Sequence, residues 1–141
     1  MTAQELKKHI KQIQHEIDGL NLVIEADQRY IDRLQSDLFK IDVRPYVRQV
    51  QNFIEKNRQE IARHLATIEA WAQLITKESD RQIFVDHYLN GLSWGEIEKK
   101  YHYSHSTIFR SKETCFEQIA QNLVCQIVPD CNIKTDTAVS L

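Results

Sequence analysis

The chain has 141 residues, 42% hydrophobic and 27% charged, with only three Gly and two Pro. So few turn formers exclude a barrel or sandwich built on many tight turns, and the apolar share is too high for a disordered linker. Eighteen Lys and Arg stand against twenty Asp and Glu, a formal charge of -2, so any nucleic-acid contact must be local rather than driven by a global basic field.

The expected fold is all-α: a long N-terminal helical hairpin or coiled-coil arm over residues 1–76, a small helix-turn-helix domain over 77–125, and a flexible tail over 126–141. No stretch approaches the roughly 18 consecutive apolar residues of a membrane span, and the polar start MTAQELKKHIKQIQHE lacks the apolar core of a secretion signal. A cytoplasmic protein without membrane contact is expected. Cys115, Cys125 and Cys131 form no Cys-x-x-Cys pair and have no His at metal-ligand spacing, so they read as reduced thiols, with Cys115 in the core and no metal.

From residue 6 the apolar positions are Leu6, Ile10, Ile13, Ile17, Leu20, Ile24, Ile31, Leu34, Leu38 and Ile41, in steps of four and three. That is the seam of a coiled coil, interrupted only at Asp27, and it predicts self-association through Leu6 to Leu38. Gly19 inside the run weakens the helix by about 1 kcal/mol relative to Ala, so packing must hold it. Around Lys40 to Pro45 the pattern resets, with Asp42 as a cap and Pro45 in the first turn of a second helix. This helix runs to about Ile75 on the stripe Val47, Val50, Ile54, Ile61, Leu65, Ile68, Trp71 or Ala72, and Ile75. The short connection favours an antiparallel hairpin, with a bent continuous arm as the alternative. Between Arg44 and Arg63, five basic residues face only Glu55 and Glu60. That excess reads as a solvated face, as phosphate contacts, or as cement for the hairpin.

Beyond Thr76 the scale changes to three or four short helices. The first has Thr76 or Ser79 as cap, the stripe Ile83, Phe84, His87, Tyr88, and a stop at Asn90-Gly91. Ser93 with Glu96 three residues on has capping-box spacing, opening a helix of barely two turns with Ile97 and Tyr101 on its apolar side. After a turn at His102-Tyr103, Ser104 caps a third helix with Ile108, Cys115, Phe116, Ile119 and Leu123 inward, and Ser106, Arg110, Ser111, Glu113 and Thr114 outward.

A two-turn helix, a short turn and a longer helix opening with small polar residues and Arg make a helix-turn-helix arrangement. Its second helix would present His105, Ser106 and Arg110 to base edges, Arg110 alone being able to make a bidentate contact to guanine. Ser93, Ser104, Thr107, Ser111 and Thr114 are candidate donors to phosphate or bases, and Lys99, Lys100 and Lys112 candidate phosphate contacts. The stretch DRQIFVDHYLNGLSWGEIEKKYHYSHSTIFRSKETCFEQIA resembles region 4 of the sigma-70 family, matching best at Tyr88, Gly91, Ser93, Glu96, Ile97, Ser104, Thr107 and Ile108. The layout as a whole is similar to small phage transcription regulators of the RinA and ArpU type. That resemblance implies activation of late genes together with RNA polymerase, on double-stranded DNA. Three positions depart from the pattern: Glu98 where a small residue packs between the helices, His102 where the turn carries Gly, and Phe109 where a basic residue faces phosphate.

Lys77 to Cys125 holds six basic and seven acidic residues, so a single such domain should bind DNA weakly, and a homodimer or a polymerase partner becomes part of the expectation. No Gly-rich phosphate loop, nucleophile elbow or paired metal-ligand spacing points to an enzyme, and no catalytic residue or cofactor is expected. The competing reading is a coiled-coil interaction module that docks on polymerase or another protein without reading DNA.

Overall fold

The computed structural model describes residues 1–36 and 41–127, with side chains to residue 124. The expected seam residue Leu38 and most of the expected tail, residues 128–141, lie outside the described residues. The described chain is all-helical: α1 (Ala3–Leu34), α2 (Arg44–Ala72), α3 (Glu78–Tyr88), α4 (Trp94–Tyr101) and α5 (His105–Ile127). No helix among the described residues is long and apolar enough to cross a membrane.

Local chemistry explains most of the boundaries. Thr2 caps α1 by accepting the Glu5 amide at 3.1 Å, and Asp42 opens α2 by accepting the Arg44 amide at 3.1 Å, with Pro45 in the first turn. α2 ends at Ala72, three residues short of the expected Ile75. α3 is capped by the extended backbone of Lys77, with no side-chain cap, so neither Thr76 nor Ser79 has the expected capping role. At its end Gly91 takes φ +76°, a left-handed turn open to Gly at low cost, and the Leu92 amide bonds back to the Asp86 carbonyl at 2.9 Å.

The chain divides into two compact units, residues 11–66 and residues 1–10 with 67 onward. In the first, α1 and α2 run antiparallel: Ile31, Leu34, Val47 and Ile54 are buried together with Ile24, Val43 and Val50 against them, and towards the opposite end His64 Nε2 meets the Glu16 carboxylate at 3.0 Å. The hairpin is therefore the observed arrangement, not the bent arm.

The second unit does not begin at residue 77. Residues 1–10 and 67–76 belong to it because the N-terminal turns of α1 and the last turns of α2 are held by contacts with each other and with α5. Lys7 Nζ reaches both carboxylate oxygens of Glu113 at 2.6 Å, His9 meets Trp71 edge-on at 5.4 Å, and Asn122 donates to the Leu74 carbonyl at 2.6 Å. Leu6, Ile10, Ile68, Ala72 and Ile75 are all buried. Within the unit α3, α4 and α5 share a core of Ile83, Ile97 and Ile108, extended by the rings of Phe84, Tyr88 and Phe116, whose centroids lie 4.7 to 5.9 Å apart.

This packing corrects the expected use of the α1 seam. Leu6, Ile10, Ile13, Ile31 and Leu34 are buried inside one chain, so they are not available to a second copy. Ile17, Leu20 and Ile24 are half-buried on the same stripe. The period of three and four is real, but it serves intramolecular helix packing, which requires the same spacing as a coiled coil.

Candidate nucleic-acid interface

α4 and α5 are joined by three residues, His102 to Ser104, and each helix start is built by a serine. Ser93 accepts the Glu96 amide at 3.1 Å while the Glu96 carboxylate accepts the Ser93 amide at 3.2 Å, the reciprocal pair of a capping box. Ser104 Oγ accepts the Thr107 amide at 3.2 Å and lies 2.8 Å from the Thr107 hydroxyl. His102 takes φ 57°, ψ 37°, the left-handed conformation, so a histidine does fill the position where the resembling pattern has Gly. Glu98 is tied down from across the turn, its carboxylate 3.0 Å from His105 Nδ1.

Asp86 orients α3 against α4. Its carboxylate is almost fully buried and accepts from Gln82 at 3.1 Å, Asn90 at 3.2 Å, Lys100 at 3.0 Å and the Tyr101 hydroxyl. Burial works to raise this carboxyl, but the bonds from Tyr101, Lys100, Asn90 and Gln82 outweigh it and hold it below the ordinary carboxylate range. The same contact raises the Lys100 ammonium. A second buried carboxylate, Asp80, accepts from Ser111 at 2.6 Å and fixes α3 to α5.

These bonds sort the expected contact residues. Ser111 is 8% exposed and committed to Asp80, so it faces inward rather than outward as the helix pattern suggested. Lys100 is drawn to Asp86, and Lys112 lies with its ammonium 5.3 Å from the Trp94 ring centroid. Neither is a free surface cation. Ser93 and Ser104 act as helix caps, Thr107 is half-buried beside Ser104, and Thr114 is half-buried in a cleft between α3 and α5. Lys99, His105, Ser106 and Arg110 stay exposed. The last three fall on the first two turns of α5, where Arg110 Nε leans back 3.4 Å from the Ser106 carbonyl.

Two features were missed in the sequence. Phe109 is 57% exposed and borders a shallow apolar depression with Trp94, His105 and Lys112. Trp94 is itself stacked on His87 at 3.8 Å. Lys77 and Tyr103 line the same cleft as Arg110, adding a second cation to it. The pairing of α3's start with α5 is a tertiary fact that helical spacing cannot reveal, whereas the solvent-facing angle of Phe109, one step from Arg110, was open to a wheel argument.

The exposed set offers a fork of guanidinium donors, a hydroxyl, an imidazole and an apolar ring on adjacent turns. Buried Cys115 adds no reactivity: its thiol donates to the Asp80 carbonyl at 3.3 Å, and burial first, then the Asp80 charge, push it up to about 12. Comparison with family models, with curated proteins and with solved structures finds no match to this chain.

Proposed function

We propose that the protein is a sequence-specific DNA-binding transcriptional regulator, working in the cytoplasm with RNA polymerase and as a homodimer. The observation that carries this reading is the α4–α5 pair. A two-turn helix with a capped start is followed, after three residues, by a longer helix whose first turns expose His105, Ser106, Phe109 and Arg110. Placed in a major groove, Arg110 would supply the bidentate guanine contact, Phe109 an apolar surface for a thymine methyl, and Ser106 a hydroxyl to either base or phosphate. Lys99 is the phosphate contact left unengaged by the internal bonds that hold Lys100 and Lys112. Activation of phage or prophage late genes rests on the resemblance to regulators of the RinA and ArpU type and to sigma-70 region 4.

The test is selection from a random duplex pool, followed by binding of variants to the enriched site. Arg110→Ala is expected to lose preference at one base pair and about 1 to 3 kcal/mol of affinity, whereas Lys99→Ala is expected to lower the salt slope by about one without changing the preferred site. Lys100→Ala is the poorer choice for the salt experiment, because it also strips a partner from Asp86. A pool with no enriched motif would favour the second reading, a module that docks on polymerase or another protein. The apolar depression between Trp94 and Phe109 speaks for that alternative, since an exposed ring beside a cation suits a protein surface as well as a base.

A further inference from the structure

Glu98 spans the α4–α5 turn twice. Its carbonyl accepts the amides of His102 and, at 3.1 Å, of Tyr103. Its carboxylate crosses to the first residue of α5, where Oε1 lies 3.0 Å from His105 Nδ1. The two carbonyl bonds fix the turn, so the carboxylate reaches the ring from a set direction. Glu98 belongs to the last turns of α4, where a negative charge is disfavoured, and gains by standing beside the start of α5, where one is favoured. The Glu98 side chain is 26% exposed and that of His105 86%, so the ring is held through Nδ1 and is otherwise open to solvent. A carboxylate only accepts. The proton of a neutral imidazole bonded to it is therefore on Nδ1, and Nε2 keeps a lone pair.

We propose that Glu98 is a positioning residue for His105: it fixes the neutral ring as an acceptor at Nε2, which reads the exocyclic amino group of an adenine or a cytosine in the major groove. The inference rests on the DNA reading proposed above and gives it a polarity at a base pair other than the one assigned to Arg110. Adenine N6 and cytosine N4 are the donors on that edge, whereas guanine O6 and N7 and thymine O4 only accept and would face the Nε2 lone pair. Without Glu98 both tautomers are open to the ring, Nε2 being an acceptor in one and a donor in the other, and the position loses its preference. Glu98 stands where the resembling pattern has a small residue, so this device belongs to the present chain and not to helix-turn-helix pairs in general.

Two measurements test it. The first needs no DNA: NMR of the histidine ring nitrogens of the full chain at pH 8, where histidines are ordinarily neutral, with the His105 signal assigned by its absence in His105→Ala. His105 should be in the Nδ1–H form, should move to the Nε2–H form in Glu98→Ala, and should keep the Nδ1–H form in Glu98→Gln, whose amide oxygen still accepts. Ala is a strong helix former, so Glu98→Ala should leave the far-UV circular dichroism unchanged.

The second is the duplex selection at the same pH, run with the wild type and each variant. Adenine or cytosine should be enriched at one position whose preference His105→Ala abolishes. Glu98→Ala should lower discrimination there by about threefold to tenfold, the worth of one neutral hydrogen bond, and leave the preference at the Arg110 base pair intact. Glu98→Gln should retain both. The two Glu98 variants lose the same charge, so the difference between them reports orientation and not electrostatics. An Nε2–H ring in the wild type, guanine or thymine at the His105 position, indifference of that position to Glu98→Ala, or Glu98→Gln behaving like Glu98→Ala overturns the inference and leaves the DNA reading standing. A pool with no enriched motif overturns both.

Discussion

Asp80 and Asp86 sit one helical step from apolar neighbours on α3, and each is answered from a different element. Removing a donor leaves a buried acceptor short of a bond, which typically costs about 1 to 3 kcal/mol. Ser111→Ala is therefore expected to lower the urea-denaturation free energy by that amount, through Asp80. Were Ser111 a surface residue, the change would fall within about half a kcal/mol. Cys115 supplies a chemical check on burial: peptide mapping after iodoacetamide treatment at pH 8 should find this thiol unmodified in the native protein and modified in urea. Of these residues the sequence showed only Cys115 as a core thiol. The roles of Asp80, Asp86 and Ser111 were hidden, because a polar residue at a helical position looks solvent-facing until its partner on another helix is known.

At the level of elements, the starts and stops were the most legible part of the chain. The Ser93–Glu96 box, the Ser104 cap, the Asp42 cap and the Asn90-Gly91 stop all lie where their spacing places them, because capping depends on residues no more than four apart. Ser93→Ala should cost about 1 kcal/mol in chemical denaturation by leaving the Glu96 amide unpaired. His102 is the more telling case, a non-glycine residue in the left-handed region. A β-branched residue there is strained, so His102→Val is expected to destabilise by about 1 to 2 kcal/mol while His102→Gly does not. Equal melting temperatures for the two variants would show that the turn relaxes. The cap of α3 is Lys77 rather than the expected Thr76 or Ser79 for the complementary reason: Lys77 caps with backbone alone, and backbone leaves no mark in the sequence.

For the molecule as a whole, pH reports on how well the aromatic core is sealed. His87 is held below its ordinary value of 6.5, by burial first and by the Lys112 charge in addition, with the bond to the Leu92 carbonyl opposing. The unfolded chain therefore binds its proton at higher pH than the folded one, and between those two values stability rises with pH. The melting temperature should fall from pH 7.5 to 5.0, and His87→Gln should flatten that slope. Asp86 acts in the same direction further down: its contribution is complete above its ordinary value of 3.8 and fades as pH falls towards its lowered one. A melting temperature constant from pH 7.5 to 5.0 would mean that His87 titrates alike in both states.

By itself the sequence determined the helical class, the starts of α2, α4 and α5, the stop of α3 and most of the inward stripes, Leu65 being an exposed exception, because these follow from periodicity and from contacts within a turn. Only the tertiary structure decided what the stripes pack against. The α1 seam reads equally well as a dimer interface or as half of a hairpin, since both need apolar residues in steps of three and four, and its burial against the same chain settles that choice. The same limit explains the reading head. Lys100, Ser111 and Lys112 are charged or polar at plausible positions, yet Asp86, Asp80 and Trp94 engage them from helices distant in sequence, leaving Lys99, His105, Ser106 and Arg110 exposed together with Phe109.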